Sequence, residues 1–180
     1  MRDVVTNTSP LLYLHQLGLI EILPRLYERV VVPTAVIAEL AEGGRRGYDV
    51  PTPATFGWVD VQAAPGAAFL PLVTDLGDGE REAIALAASR KSDLLLLDDA
   101  LARRHAKLLG LAVTGTLGVL LKAKARGVLL AITPVVERLG RLGFRAGGRD
   151  ASGGDQARGR VGASPPAGRT LCLIRGAEHS

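Results

Sequence analysis

A single cysteine, Cys172, is all the thiol this chain carries, so it holds no internal disulfide framework and no thiolate metal cage of its own. Its three histidines, His15, His105 and His179, fall at no metal-ligand spacing. Histidine and thiol catalysis are left without support. No apolar run approaches the roughly 18 residues of a membrane span, and the N-terminus passes straight into a valine-rich segment without the charged start and cleavage site of a signal peptide. The expectation is a soluble, cytoplasmic protein with no membrane partner. Strong charge is missing too: 22 basic against 18 acidic residues leave +4, which leans toward an anionic partner but lacks the density of a dedicated DNA-binding module. Five of the arginines lie in the last 34 residues, so the remainder is nearly balanced.

What the chain does have is apolar material, 47% of 180 residues, enough for one sizeable core. Residues 3–6 are too short for a helix and read as a buried strand. Ser9-Pro10 gives an N-cap followed by proline at the first helical position, with Leu11, Leu12, Leu14 and Leu17 as the apolar face. A second short helix, a strand over 29–32 and a helix from Pro33-Thr34 follow. Residues 43–53 form a glycine- and proline-bearing loop, and 57–61 a short strand with the only tryptophan, Trp58. Helices over 80–89, 100–109 and 117–125 then alternate with strands over 93–97 and 111–113, and a last helix spans 134–142. Such alternation predicts an α/β fold, a parallel sheet covered on both faces. After Phe144 the pattern breaks into Gly147-Gly148, Gly153-Gly154, Pro165-Pro166 and scattered arginines. The division is therefore a domain over 1–146 and a disordered Gly/Arg-rich tail over 147–180, dispensable for folding.

Short polar interruptions sit where the apolar runs end: Asn7-Thr8-Ser9, Glu39, Gly79-Glu80 and Asp98-Asp99. In an α/β fold, strand ends and the helix starts beside them share one crevice, so these acids can converge. Converging carboxylates call for a counter-charge, and a hard divalent cation takes oxygen ligands in near-octahedral geometry. The candidates are Asn7, Glu39, Glu80 or Glu82, and Asp98 or Asp99. Residues two apart on a helix do not share a face, so only one of Glu80 and Glu82 can enter such a site. Bland roles compete: an Asx turn for Asn7, helix capping for Glu80 and Asp98, a solvated helix face for Glu39. Thr114-Gly115-Thr116 joins the last strand to a helix and lacks the lysine of a phosphate loop. Arg103, Arg104, His105 and Lys107, with Lys122, Lys124 and Arg126, give basic helix surfaces able to track an RNA backbone.

The stretches 4–11, 32–40, 79–87, 94–99 and 113–120, taken together and in order, resemble the PIN-domain superfamily, and more closely a PIN-like branch related to VapC-type toxin ribonucleases. The likeness covers about residues 2–145. It implies a three-layer α/β/α sandwich, acids gathered at the C-terminal edge of a parallel sheet, Mg2+ or Mn2+ as cofactor, and cleavage of RNA. By position Asn7 stands in place of the usual first aspartate, Glu39 is the second acid, Glu80 the third and Asp99 the fourth. Ser9, Glu82, Asp98, Thr114 and Thr116 are neighbours of that site. It further implies a VapBC-like toxin with a small antitoxin protein and a homodimeric state, or else a catalytically inactive PIN-like module that binds RNA or protein. Asn7 separates the two, because an amide keeps an oxygen ligand but removes a charge.

Overall fold

Three apolar triplets, Val4-Val5-Thr6, Val30-Val31-Val32 and Leu95-Leu96-Leu97, are buried on both sides, which is possible only in the middle of a sheet covered by helices on each face. The computed structural model describes residues 3–65, 75–90 and 94–144. In it β1 (Asp3–Thr6), β2 (Arg29–Pro33), β3 (Val59–Gln62), β4 (Leu94–Leu96) and β5 (Val113–Thr114) form one sheet in the order β3-β2-β1-β4-β5. Every pairing is parallel. Alternation along each strand splits the core in two. Val4, Val30, Val32 and Leu96 pack under α1 (Thr8–Gln16), α2 (Ile22–Leu26), α3 (Thr34–Arg45), α6 (Thr116–Ala125) and α7 (Thr133–Arg141). Val5, Val31, Leu95 and Leu97 pack under α4 (Asp78–Arg90) and α5 (Ala100–Leu108). The result is a three-layer α/β/α sandwich. No helix among the described residues is long and apolar enough to cross a membrane.

Two local expectations are corrected. The N-cap of α1 is Asn7 and not Ser9, so Ser9 and Pro10 lie inside the first turn. Extended backbone at Asn7, whose N–H still donates to Leu96 O at 3.2 Å, continues the β1 ladder one residue further before the chain can turn. The loop expected from Gly43 begins only after Arg45, because α3 runs through Gly43 and Gly44. Both glycines are closely packed there: a Cβ on either would lie 3.2 or 3.3 Å from the Val50 methyls that fold back over the helix, so Val50 would have to shift slightly. Glu42 also accepts from Arg45 and Arg46, holding the last turn together. Elsewhere the ends of the expected elements agree with the observed ones or differ by one or two residues. Trp58 lies just before β3, stacked on Phe56 with ring centroids 5.0 Å apart. The tail over 147–180 lies outside the described residues.

Candidate active site

At the C-terminal edge of the sheet four strand ends and helix starts bring polar groups together. Asn7 follows β1 and is only 2% exposed. Its Oδ1 is buried with no hydrogen-bond partner among the described residues, and its side chain does not cap α1. The Asx-turn role is therefore not the one it plays. An orphaned amide oxygen costs about 1–3 kcal/mol, a cost that a ligand at this position would remove.

Glu39 departs from the apolar stripe of α3 and faces α1 and α4. Its Oε2 accepts from the Thr8 hydroxyl, and its Oε1 from the Gly79 N–H at 2.8 Å. Gly79 admits this approach by lacking a side chain, since a Cβ there would stand 2.6 Å from Glu39 Oε2. Glu80, in the first turn of α4, accepts from the Gly77 N–H at 3.2 Å, the backward reach of a capping box. A Cβ at Gly77 would lie 3.8 Å from Glu80 and 3.9 Å from Glu39, so both carboxylates flank the same turn. Burial, then the charge of Asp99, pushes the Glu80 carboxyl up to about 7, with Glu39 adding to the rise and the Gly77 N–H opposing it. Asp99 is the N-cap of α5, its Oδ1 accepting from Ala102 N–H at 2.8 Å.

The alternatives point elsewhere. Glu82 Oε2 accepts from Ala35 N–H at 2.9 Å and Thr34 Oγ1 at 3.2 Å, tying α4 to the start of α3. Asp98 accepts from both the N–H and the hydroxyl of Thr116, at 2.7 and 2.6 Å, and so pins the start of α6 to the end of β4. Burial raises its carboxyl above the usual range, against the pull of the Thr116 bonds and of Arg103. Gly115 makes that latch possible, because a Cβ would fall 2.5 Å from Asp98 Oδ1. Thr114 packs its hydroxyl against Gly118, where a Cβ could not fit, and Ser9 lies half-buried in α1. Thr116 and Asp98 satisfy each other. Thr8 is the residue that sequence reasoning passed over. Its signal was a hydroxyl directly beside Asn7, but its partner stands 31 residues away.

The coupling of Glu80 has a measurable sign. Its folded pKa is raised above the ordinary carboxylate value, so stability from this group is fully present below about 4.5 and is lost as pH climbs through about 7. The difference in unfolding free energy between Glu80→Gln and wild type should grow in favour of the variant by about 2 kcal/mol from pH 5 to pH 8. Denaturant melts across that range test it. A difference flat with pH would show that neither the burial of Glu80 nor the charges of Asp99 and Glu39 shift its carboxyl.

Among the described residues no three His, Cys, Asp or Glu side chains already stand in a metal-ligating cluster. The polar edge consists of an amide, two carboxylates that feel each other, and a third held back by Thr8 and Gly79.

A solved structure similar to this one is a PilT N-terminus domain protein from the hyperthermophilic archaeon Sulfolobus solfataricus P2, at 24% identity over 65% of this chain and 89% of that chain, with a TM-score of 0.48. No curated protein matches the chain. The family model described as PIN domain matches residues 3–149. With most of its length under that model, the chain belongs to the PIN-domain family, whose members are typically nucleases.

Proposed function

We propose that this protein is a metal-dependent ribonuclease of PIN type and the toxin component of a VapBC-like pair. The observation that carries the reading is a polar sheet edge where Glu80, raised by burial first and then by Asp99 and Glu39, lies on the same edge as Asn7, whose Oδ1 is buried without a donor. PIN domains generally use divalent metals. The residues present fit one: every donor is oxygen, the acids lack a counter-charge among themselves, and the orphaned amide oxygen needs a partner. Asn7, Glu39, Glu80 and Asp99 would hold Mg2+ or Mn2+. Bound there, the cation would supply a polarised phosphodiester and a more acidic water.

The chain's own residues do the remaining work. Thr8 and Gly79 orient Glu39, Ala102 N–H fixes one oxygen of Asp99, and Gly77 N–H fixes one oxygen of Glu80. Glu80 can hold or release a proton near neutral pH, so it is the acid on which the charge balance of the site turns. The second reading, an inactive module that binds RNA or protein, draws on Asn7, where the amide leaves the site one negative charge short.

The deciding assay is purified protein on mixed RNA with Mn2+ or with chelator. Cleavage that requires Mn2+ is expected. RNA binding without cleavage at saturating metal would leave the binding module in front. For the toxin role, the expected companions are a second copy of the chain and a small antitoxin protein. A strictly monomeric species by light scattering, with no neighbouring protein that co-purifies, would count against that role.

A further inference from the structure

Five arginines elsewhere on the sheet and helices are already paired, while Arg104, Arg126, Arg138 and Arg141, like Arg103, form no salt bridge among the described residues. Arg29 meets Asp60, Arg45 and Arg46 share Glu42, Arg81 meets Asp78, and Arg90 meets Asp3. Arg103 is set apart by where its guanidinium is held. It lies one helical turn after Asp99 on α5, half-buried, and among the described residues it forms no salt bridge. Its Nη1 donates to Leu97 O at 3.2 Å, at the end of β4. That nitrogen would stand 2.9 Å from a Cβ on Gly115, so the missing side chain makes room for it at the β5 to α6 turn. The guanidinium is thus held at the end of β4, the strand next to β1 and Asn7, on the helix that Asp99 caps.

The structure gives this cation one structural duty, the partial neutralisation of half-buried Asp98, whose carboxyl it lowers. Asp98 is already bound twice by Thr116, however, and no ion pair with Arg103 forms. A guanidinium presents five donors in a planar fork matched to phosphate, and the backbone bond to Leu97 uses only one. An anionic strand approaching Glu39, Glu80 and Asp99 meets repulsion, which a fixed positive charge beside them offsets. We infer that Arg103 contacts a backbone phosphate of single-stranded RNA next to the cleavage site and sets the strand's register across the acids. The inference rests on the ribonuclease reading and names a substrate-positioning residue for it.

Binding and cleavage separate the two ideas. A short labelled single-stranded RNA is titrated in chelator against wild type, Arg103→Gln and, at the opposite sheet edge, Arg29→Gln. Arg103→Gln should bind about 3- to 10-fold more weakly, with the salt dependence of log affinity shallower by about 0.7, as for one lost phosphate contact. Arg29→Gln should match wild type. Arg103→Lys should keep the salt slope and recover part of the affinity, because charge is retained and the fork is lost. In Mn2+ the Arg103→Gln loss should appear in KM more than in kcat. Arginine-selective dicarbonyl modification of the wild-type protein, read by peptide mass spectrometry, needs no variant and should show Arg103 protected by the RNA. Equal affinity and salt slope for Arg103→Gln, absence of RNA binding by wild type, or unprotected Arg103 would overturn the inference. Failure of Mn2+-dependent cleavage with protection intact would instead sink the nuclease reading alone.

Discussion

Asp99→Asn should reduce RNA cleavage on the order of 100-fold, and Asn7→Asp should increase it. Both follow from charge at the proposed site, whose candidate ligands are all oxygen. Replacing Asp99 removes one of the anions that raise Glu80, and replacing Asn7 adds an anion at nearly constant volume where the orphaned Oδ1 now lies. Loss of several kcal/mol of transition-state charge stabilisation corresponds to about two decades in rate. Asn7→Asp carries an opposite effect on the folded state without metal. A carboxylate that is 2% exposed beside other acids must pay for desolvation and repulsion together, so the variant should melt lower in chelator and recover in Mn2+. The measurement is cleavage of a labelled RNA across a Mn2+ titration, with melts alongside. Absence of cleavage by wild type and by Asn7→Asp at saturating metal would end the nuclease interpretation. Equal rates for wild type and Asp99→Asn would remove Asp99 from the site.

Asp98→Ala should destabilise the fold by about 2–4 kcal/mol, because it strips partners from two buried donors at once. Thr116 is fully buried, and both its N–H and its hydroxyl end on Asp98. Without that carboxylate the start of α6 loses its tie to β4, and Arg103 keeps a positive charge beside a void. Asp98→Asn should cost less, since an amide oxygen can still accept one of the two bonds. Urea unfolding of the three proteins tests this, and an Asp98→Ala variant within about 0.5 kcal/mol of wild type would show that the latch contributes little. The adjacent aspartate behaves oppositely. Asp99 is exposed and caps α5 with one oxygen, so Asp99→Asn should fold nearly as well as wild type while losing activity.

The layered architecture is legible in the sequence because its cause is local. Val4-Val5-Thr6, Val30-Val31-Val32 and Leu95-Leu96-Leu97 are each too short and too uniformly apolar for anything but a central strand, and the amphipathic stretches between them supply the covering helices. Breaks in those runs likewise mark Asn7, Glu39, Glu80 or Glu82, and Asp98 or Asp99 as groups at one edge. What each carboxylate does there is not local. Glu82 turns to Ala35 and Thr34, 47 and 48 residues earlier in the chain, and Asp98 turns to Thr116, 18 residues later. Glu39 is held by Thr8 and Gly79 from two other helices. The N-cap of α1 moved from Ser9 to Asn7 for a similar reason: a backbone bond to Leu96, on a different strand, keeps Asn7 extended. A hydrogen bond between elements is chosen by which donors the packed layers bring within about 3 Å, and that choice exists only after the sheet has assembled. Composition and periodicity alone therefore determined a parallel, helix-covered sheet with a polar edge. Tertiary packing decided which acids latch one element to another and which cap their own helix, because only packing puts a particular N–H or hydroxyl in front of each one.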